Sequence, residues 1–252
     1  MQEFFLALHT LEIFVDSFIF PLLSVIIFGL ISLYLIGSDE TIAAQYILLG
    51  MILWQVIWVI SYSVATGSMW NIWSKNLSNM FVSPLTVSEY MSAHFISGCA
   101  KAVLLLVIAN AVSMVMFHFS VLSIGVPVLV LTFIVFAAFA FAVSIAVLGL
   151  IFRYGTRIAA LSWSLITVFQ PLAATFYPLA DMPHLLQYVA LLLPPTYAFE
   201  AARYSLVQGE IAWSMLGMGF ALDAVYGVAC VLLFRQLFRN SRDTGQFARN
   251  ES

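Results

Sequence analysis

Between Lys101 and Arg153 the sequence carries no Asp, Glu, Lys or Arg. A helix needs about 20 apolar residues to cross a bilayer core, and this run supplies two such stretches, Ala102 to Phe119 and Val126 to Phe152. The second is long enough to require tilt. Four more stretches read the same way: about Phe18 to Ile36, Ala44 to Thr66, Ile158 to Tyr177 and Ser214 to Phe234. Only 8% of the 252 residues are charged, against roughly 25% in soluble domains. The expected fold is therefore all-α and integral to the membrane, with six transmembrane helices in one domain, 1–252. A net charge of −3 gives no ground for a nucleic-acid partner. Cys99 and Cys230 stand in apolar surroundings and read as small buried hydrophobes. The first basic residue is Lys75, so no positive region precedes the first apolar run and no cleavable signal peptide is expected.

The segments that interrupt the spans carry the polar chemistry. In residues 2–18, Phe4, Leu8, Leu11, Val15 and Phe18 share one face and His9, Glu12 and Asp16 the other, as in a helix lying on the membrane. Trp70 to Glu89 mixes Asn, Ser and Thr with large apolar residues spaced for one helical stripe: Trp73, Leu77, and Met80 or Phe81. Pro84 ends that helix. Its apolar stripe suits either a protein on the cytoplasmic side or lipid headgroups. Residues 86–101 are mixed in character. Residues 178–213 hold Pro178, Pro183, Pro194 and Pro195 around an apolar run, His184 to Leu193, that is too short to span and reads as re-entrant or interfacial. A second short helix is expected from Thr196 as its N-cap, with Glu200 and Arg203 spaced to pair. A polar tail, 235–252, follows the last span.

Inside the spans, Trp54, Trp58 and Tyr62 line one helical face. That stripe either borders a pathway for an amphipathic or sugar-containing substrate or packs against helices and lipid. Gln170-Pro171 predicts a kink that frees a backbone carbonyl. Asp223 is the one carboxylate deep in a span; Gly219 and Gly227 flank it, and Gln170 is expected at a similar depth. It either fastens two helices or belongs to a pathway.

Of the nine basic residues, Lys75, Lys101, Arg153, Arg157, Arg235, Arg239, Arg242 and Arg249 fall on one side of a six-span layout and only Arg203 on the other. The positive-inside rule puts both termini in the cytoplasm and the 178–213 segment outside. No GxxxxGK[ST], HExxH, GxSxG or Cys/His cluster is present, and His9, His94, His118 and His184 are scattered. Neither an enzyme nor a bound cofactor is expected. For His94 and His184 the expected role is a satisfied interfacial histidine.

A segment ending in SPLTVSEY between spans two and three, together with PLADMPHLLQYVALLLPPTYAFEAARYSL between spans five and six, resembles an ABC-2 type transporter permease. The likeness extends over nearly the whole chain. It is most specific at Ser83-Pro84-Leu85 with Glu89, and at Leu193 to Thr196 with Glu200 and Arg203. The resemblance implies that segment 67–90 holds a coupling helix docking on a separate ATPase subunit, through Trp73, Lys75, Leu77, Met80, Phe81, Pro84 and Glu89. It also implies an extracellular hairpin, about 178–213, built on Pro183, Pro194, Pro195, Thr196, Glu200 and Arg203. Many members carry basic residues in the N-terminal helix and an acidic one in the coupling helix; here Glu12 and Asp16 occupy the first and Asn76 to Asn79 the second.

By that resemblance the chain is the permease subunit of an ABC exporter in a prokaryotic cytoplasmic membrane. It would pair with a second permease subunit, as a homodimer or heterodimer, and with ATPase subunits that hold ATP and Mg. A pathway poor in charge, through Trp54, Trp58, Tyr62, Gln170 and Asp223, favours a small amphipathic compound ahead of a polysaccharide or lipid-linked glycan. The rival from another class is a proton-coupled secondary transporter using Asp223. The lack of repeats and of paired intramembrane charges speaks against it.

Overall fold

The computed structural model describes residues 14–36, 41–67, 69, 86–158 and 160–243. Residues 2–13 of the expected interfacial helix lie outside that set. So do Trp73, Lys75, Leu77, Met80, Phe81 and Pro84 of the expected coupling helix. No strand occurs among the described residues. A π-helical turn, Val15–Ile19, leads into α1, Phe20–Ile36. The next helix, α2, covers Thr41–Ser61 and runs into a second π-helical turn, Tyr62–Thr66. Then come α3, Val87–Phe117, and α4, Val126–Tyr154. Three shorter helices follow: α5, Leu161–Leu172, α6, His184–Ala190, and α7, Pro194–Gln208. The last helix, α8, is Trp213–Asp243.

Among the described residues five helices, α1 (with the π turn before it) to α4 and α8, are long and apolar enough to cross a membrane. The expected fifth span is shorter than the sequence suggested. Its helix α5 has 12 residues and ends at Leu172, one residue after Pro171. The proline therefore terminates the helix instead of kinking it midway. Ala174 follows with φ at 54°, a left-handed turn that no α-helix continues through. The freed carbonyls are taken by side chains: Thr175 Oγ1 donates to Gln170 O and Tyr177 OH to Pro171 O, each at 2.7 Å.

Two other boundaries differ. The mixed stretch 86–101 belongs to one unbroken helix, α3. Thr86 caps it: its hydroxyl accepts from Glu89 N, and the Glu89 carboxylate accepts from Thr86 N at 2.8 Å. This reciprocal box starts the helix well before the apolar run begins. At the other end of the chain, α8 continues to Asp243 through residues expected to be tail. Phe234 and Phe238 pack on Phe152 of α4, with ring centroids 6.2 and 5.9 Å away, and Ser241 Oγ donates to Phe152 O.

In α7 the N-cap is Leu193, not Thr196, with Pro194 and Pro195 filling the first turn. Proline needs no intrahelical N–H partner there and its φ is already helical, so the helix starts earlier than a hydroxyl search would place it. At the centre of the molecule stands α2, whose Leu48, Leu49, Ile52, Leu53, Ile57 and Ile60 are fully buried. Lipid-embedded helices associate through close packing rather than hydrophobic exclusion. Gly50 shows this: a Cβ there would collide with the Thr175 carbonyl beyond α5.

Candidate functional site

Three polar groupings sit along α2: one at its N-terminal end, one in its middle and one at its C-terminal end. In the orientation expected from the basic residues, the N-terminal end is the outer one and the C-terminal end the inner. The outer one is built by α7. Arg203 is 4% exposed, yet it carries a guanidinium that must be satisfied. Its Nη1 donates to Glu200 Oε1 at 2.7 Å, and its Nη2 donates to Ala174 O and, at 2.7 Å, to Thr175 O. Glu200 Oε1 also accepts from Leu179 N at 3.0 Å. The pair thus closes both ends of the broken chain between α5 and α6. Tyr46, near the start of α2, lies under the guanidinium, 5.7 Å from ring centroid to Arg203 Cζ. Burial pulls the Arg203 pKa below its ordinary value, and the Glu200 charge pushes it back up. The spacing of Glu200 and Arg203 forecast their pairing; nothing in it forecast the carbonyls they hold.

In the middle, α1, α2 and α5 border a half-open cavity of about 210 Å³. Trp54 and Trp58 line it with Gln170, as do Gln55, Thr167, Met51, Phe20, Pro21 and Ser24. Two of the three residues of the aromatic stripe therefore face one space, together with the amide of α5. Gln170 Nε2 lies 3.7 Å from Met51 Sδ. Gln55 was missed in the sequence, although a polar side chain at the centre of a span is itself a signal. An apolar, aromatic wall with two amides and two hydroxyls suits a neutral or amphipathic molecule that needs a few hydrogen bonds for orientation.

Tyr62, the third residue of the stripe, does not line that cavity. It belongs to the inner grouping, where its hydroxyl donates to Asp16 Oδ2 at 2.7 Å. Asp16 was expected on a solvated polar face. One residue on, the Ser63 carbonyl lies 3.1 Å from His94 Nδ1. A carbonyl only accepts, so this nitrogen carries the proton. Lys101 Nζ reaches Ser63 Oγ at 3.5 Å. His94 is the satisfied histidine expected, but it is buried at 2% exposure rather than interfacial. Glu89 lies nearby in sequence, engaged with Thr86 in the helix cap.

Asp223 stands apart from all three groupings. It is 7% exposed, and neither carboxylate oxygen has a hydrogen-bond partner among the described residues. Gly219, one turn before it, packs against Val135 of α4 and the Pro194 carbonyl, and Tyr226, one turn after it, against Phe139. Gln170 is held elsewhere. In the hairpin, Pro183 is the N-cap of α6 and its carbonyl accepts from Leu186 N at 2.8 Å. Thr196 is buried, with its hydroxyl unpartnered among the described residues. No group of three or more His, Cys, Asp or Glu side chains among the described residues could hold a metal ion.

A comparison with curated protein sequences gives no significant match. The family model for the ABC-2 type transporter matches residues 1–207, which takes in the central cavity, the inner polar grouping and the Glu200–Arg203 pair. This multi-helix membrane chain therefore belongs to the ABC-2 type transporter family, the membrane permease components of ABC transporters.

Proposed function

We propose that the chain is the permease subunit of an exporter that moves a small amphipathic compound across a prokaryotic cytoplasmic membrane. Transport proceeds by alternating access, driven by a separate ATPase subunit. The observation that carries this reading is the cavity between α1, α2 and α5, where Trp54 and Trp58 meet Gln55 and Gln170. Aromatic faces bury the apolar body of a ligand and the amides fix its polar end. At about 210 Å³ it is smaller than the ~300–1,000 Å³ of drug-sized pockets. Two permease subunits, as a homodimer or heterodimer, enlarge it into a shared pathway. Both termini and segment 67–90 face the cytoplasm, where the basic residues collect, and the hairpin built on α6 and α7 faces outward. The coupling residues Trp73, Lys75, Leu77, Met80 and Phe81 dock on the ATPase, which holds ATP and Mg.

The test is ATP-dependent uptake of a fluorescent amphipathic dye into inside-out vesicles holding the permease with its ATPase. Trp58→Ala and Gln170→Leu are expected to lower uptake about tenfold, the loss of roughly 1.4 kcal/mol in binding. Uptake unchanged in both variants would remove the cavity from the pathway. Movement of a lipid-linked glycan in place of the dye would transfer the reading to glycan export. Uptake that follows a proton gradient without ATP would favour the secondary-transporter reading.

A further inference from the structure

Two π-helical turns, Val15–Ile19 and Tyr62–Thr66, occur at the same end of adjacent helices, α1 and α2. A π turn carries one residue more than the α-helix wants, and such turns collect at functional sites. Here the two are tied to each other, since Tyr62 OH donates to Asp16 Oδ2 at 2.7 Å. The second is tied to a third helix as well. His94 of α3 donates to the carbonyl of Ser63 at 3.1 Å, and its ring meets Tyr90 edge-on with centroids 4.5 Å apart. Lys101, two turns further along α3, reaches the hydroxyl of the same serine. Glycine at 98 lets the two backbones approach this closely. A Cβ at Gly98 would stand 3.1 Å from Ser63 Cβ and 3.2 Å from Ile60 Cα. One chain, Asp16–Tyr62–Ser63–His94, made of two polar contacts joined by the peptide bond between Tyr62 and Ser63, thus crosses three helices in a protein where 8% of residues are charged.

Its position matters as much as its bonds. Segment 67–90 lies between the second π turn and His94 in sequence, so any displacement of that segment enters the helices beside this chain of contacts. On its other side lies the central cavity. Phe20 and Pro21, which line it, directly follow the first π turn, and Trp58, which also lines it, stands one turn before the second. Returning a π turn to α geometry shifts the residues past it by one position. That turns them about 100° around the axis, since an α-helix has 3.6 residues per turn. A side chain from another helix that holds a carbonyl of the π turn holds that register.

We propose that Asp16, Tyr62, Ser63 and His94 form a transmission joint between segment 67–90 and the substrate cavity, with the two π turns as its hinges. These are positioning residues. They touch neither nucleotide nor cargo; they make α1, α2 and α3 respond together when the segment moves. The joint rests on the function proposed above, because it needs an ATPase to drive it.

The experiment uses the permease co-purified with its ATPase in lipid vesicles, and reads ATP hydrolysis, KM for ATP, dye moved per ATP and the melting temperature. Tyr62→Phe and His94→Leu are expected to keep assembly and KM, while dye moved per ATP falls about tenfold, a typical coupling free energy. The double variant should be no worse than either single one, because both cut the same chain. His94→Asn, whose amide can donate from the place of Nδ1, should restore most of the ratio, a rescue that a packing role would not produce. Wild-type ratios in both single variants, or losses that track melting temperature alone, overturn the joint. If His94→Leu fails to assemble, the ratio in Tyr62→Phe decides. A wild-type complex with no ATP-driven dye movement instead overturns the proposed function, while a working wild type beside equally working variants overturns the joint alone.

Discussion

The two ends of α2 are held by different kinds of contact. At the outer end Arg203 donates to two backbone carbonyls and to Glu200, and Glu200 accepts in turn from Leu179. At the inner end the contacts come from separate side chains: Tyr62 donates to Asp16, His94 to the Ser63 carbonyl, and Lys101 to the Ser63 hydroxyl at 3.5 Å. Charge-assisted bonds in low dielectric are the strong ones. At the outer end several converge on one guanidinium and must break together, whereas at the inner end they are spread over separate side chains. The outer cluster therefore fastens α2, α7 and the end of α5 into one block. The inner one lies at two π turns, a geometry that collects at functional sites, and in the joint proposed above it is the part that yields. The alternating-access cycle proposed above calls for that asymmetry, a rigid frame at one end of α2 and a compliant joint at the other.

The largest expected effect is at the outer end. Arg203→Leu strips the donor from Ala174 O and Thr175 O and leaves Glu200 without its partner. Breaking one side of a buried pair costs about 3–5 kcal/mol, so the variant should lose most of its folded fraction in detergent, read by thermal unfolding with size-exclusion recovery. Arg203→Lys has one short-range ammonium for three acceptors and should fall between. A melting temperature equal to wild type in Arg203→Leu would break the contrast, since the outer cluster would then be no stronger than the inner.

How far such contacts were legible in the sequence depends on whether they are local. The Glu200–Arg203 spacing and the long apolar runs are read within one element, and the pair and five of the six runs appear among the described residues. The Thr86–Glu89 box is as local, but in the sequence 86–101 reads only as mixed. The carbonyls that Arg203 holds lie 28 and 29 residues away in sequence. They lie beyond the end of α5 at Leu172, outside its helical hydrogen bonding. The meeting of Trp58 with Gln170 joins α2 to α5 across the core and leaves no periodic trace. Tyr62 shows the same limit. Helical spacing put it on the Trp54–Trp58 face, and the helix is regular as far as Ser61, but its hydroxyl reaches Asp16, a contact between helices that spacing does not carry.

A second prediction sharpens the rigid-frame half of the comparison without touching a charge. Gly50 lies against the Thr175 carbonyl, the same group that Arg203 bonds. Gly50→Val forces α2 off the end of α5, and overpacking of this kind costs roughly 1–3 kcal/mol. Thermal unfolding should show a loss smaller than that of Arg203→Leu. The two variants together should lose less than the sum, because they disturb one carbonyl. Strict additivity would mean that the helix contact and the guanidinium clamp are independent. The inner end should be cheaper still. Tyr62→Phe removes one hydrogen bond, about 1 kcal/mol, and its melting temperature should drop least of the three while dye moved per ATP drops most. A stability loss matching Arg203→Leu would make the inner cluster a second frame, not a joint.

The smallest expected change in stability belongs to Asp223, which has neither kind of partner among the described residues. Had it fastened two spans, replacing it by leucine would cost a hydrogen bond and the helices would loosen. The structure gives its oxygens no such bond and surrounds the turn with Gly219, Val135, Phe139 and Tyr226. A carboxylate deep in a span costs about 2.5–3.5 kcal/mol on insertion scales. A loosened chain still in the bilayer bears the same cost, so little of it enters the stability of the fold. Asp223→Leu should therefore change the folded-state free energy by less than about 1 kcal/mol, the scale of one bond within a membrane, while the yield of inserted protein rises. Because Asp223 lies outside the cavity lined by Trp54, Trp58 and Gln170, both Asp223→Leu and Asp223→Asn should still move dye at the wild-type ratio to ATP. The measurements are melting temperature, membrane yield and vesicle uptake. A clear loss of stability in the leucine variant would reveal a partner acquired in another conformation. A stable leucine variant that hydrolyses ATP but moves no dye would instead place the carboxylate on the pathway.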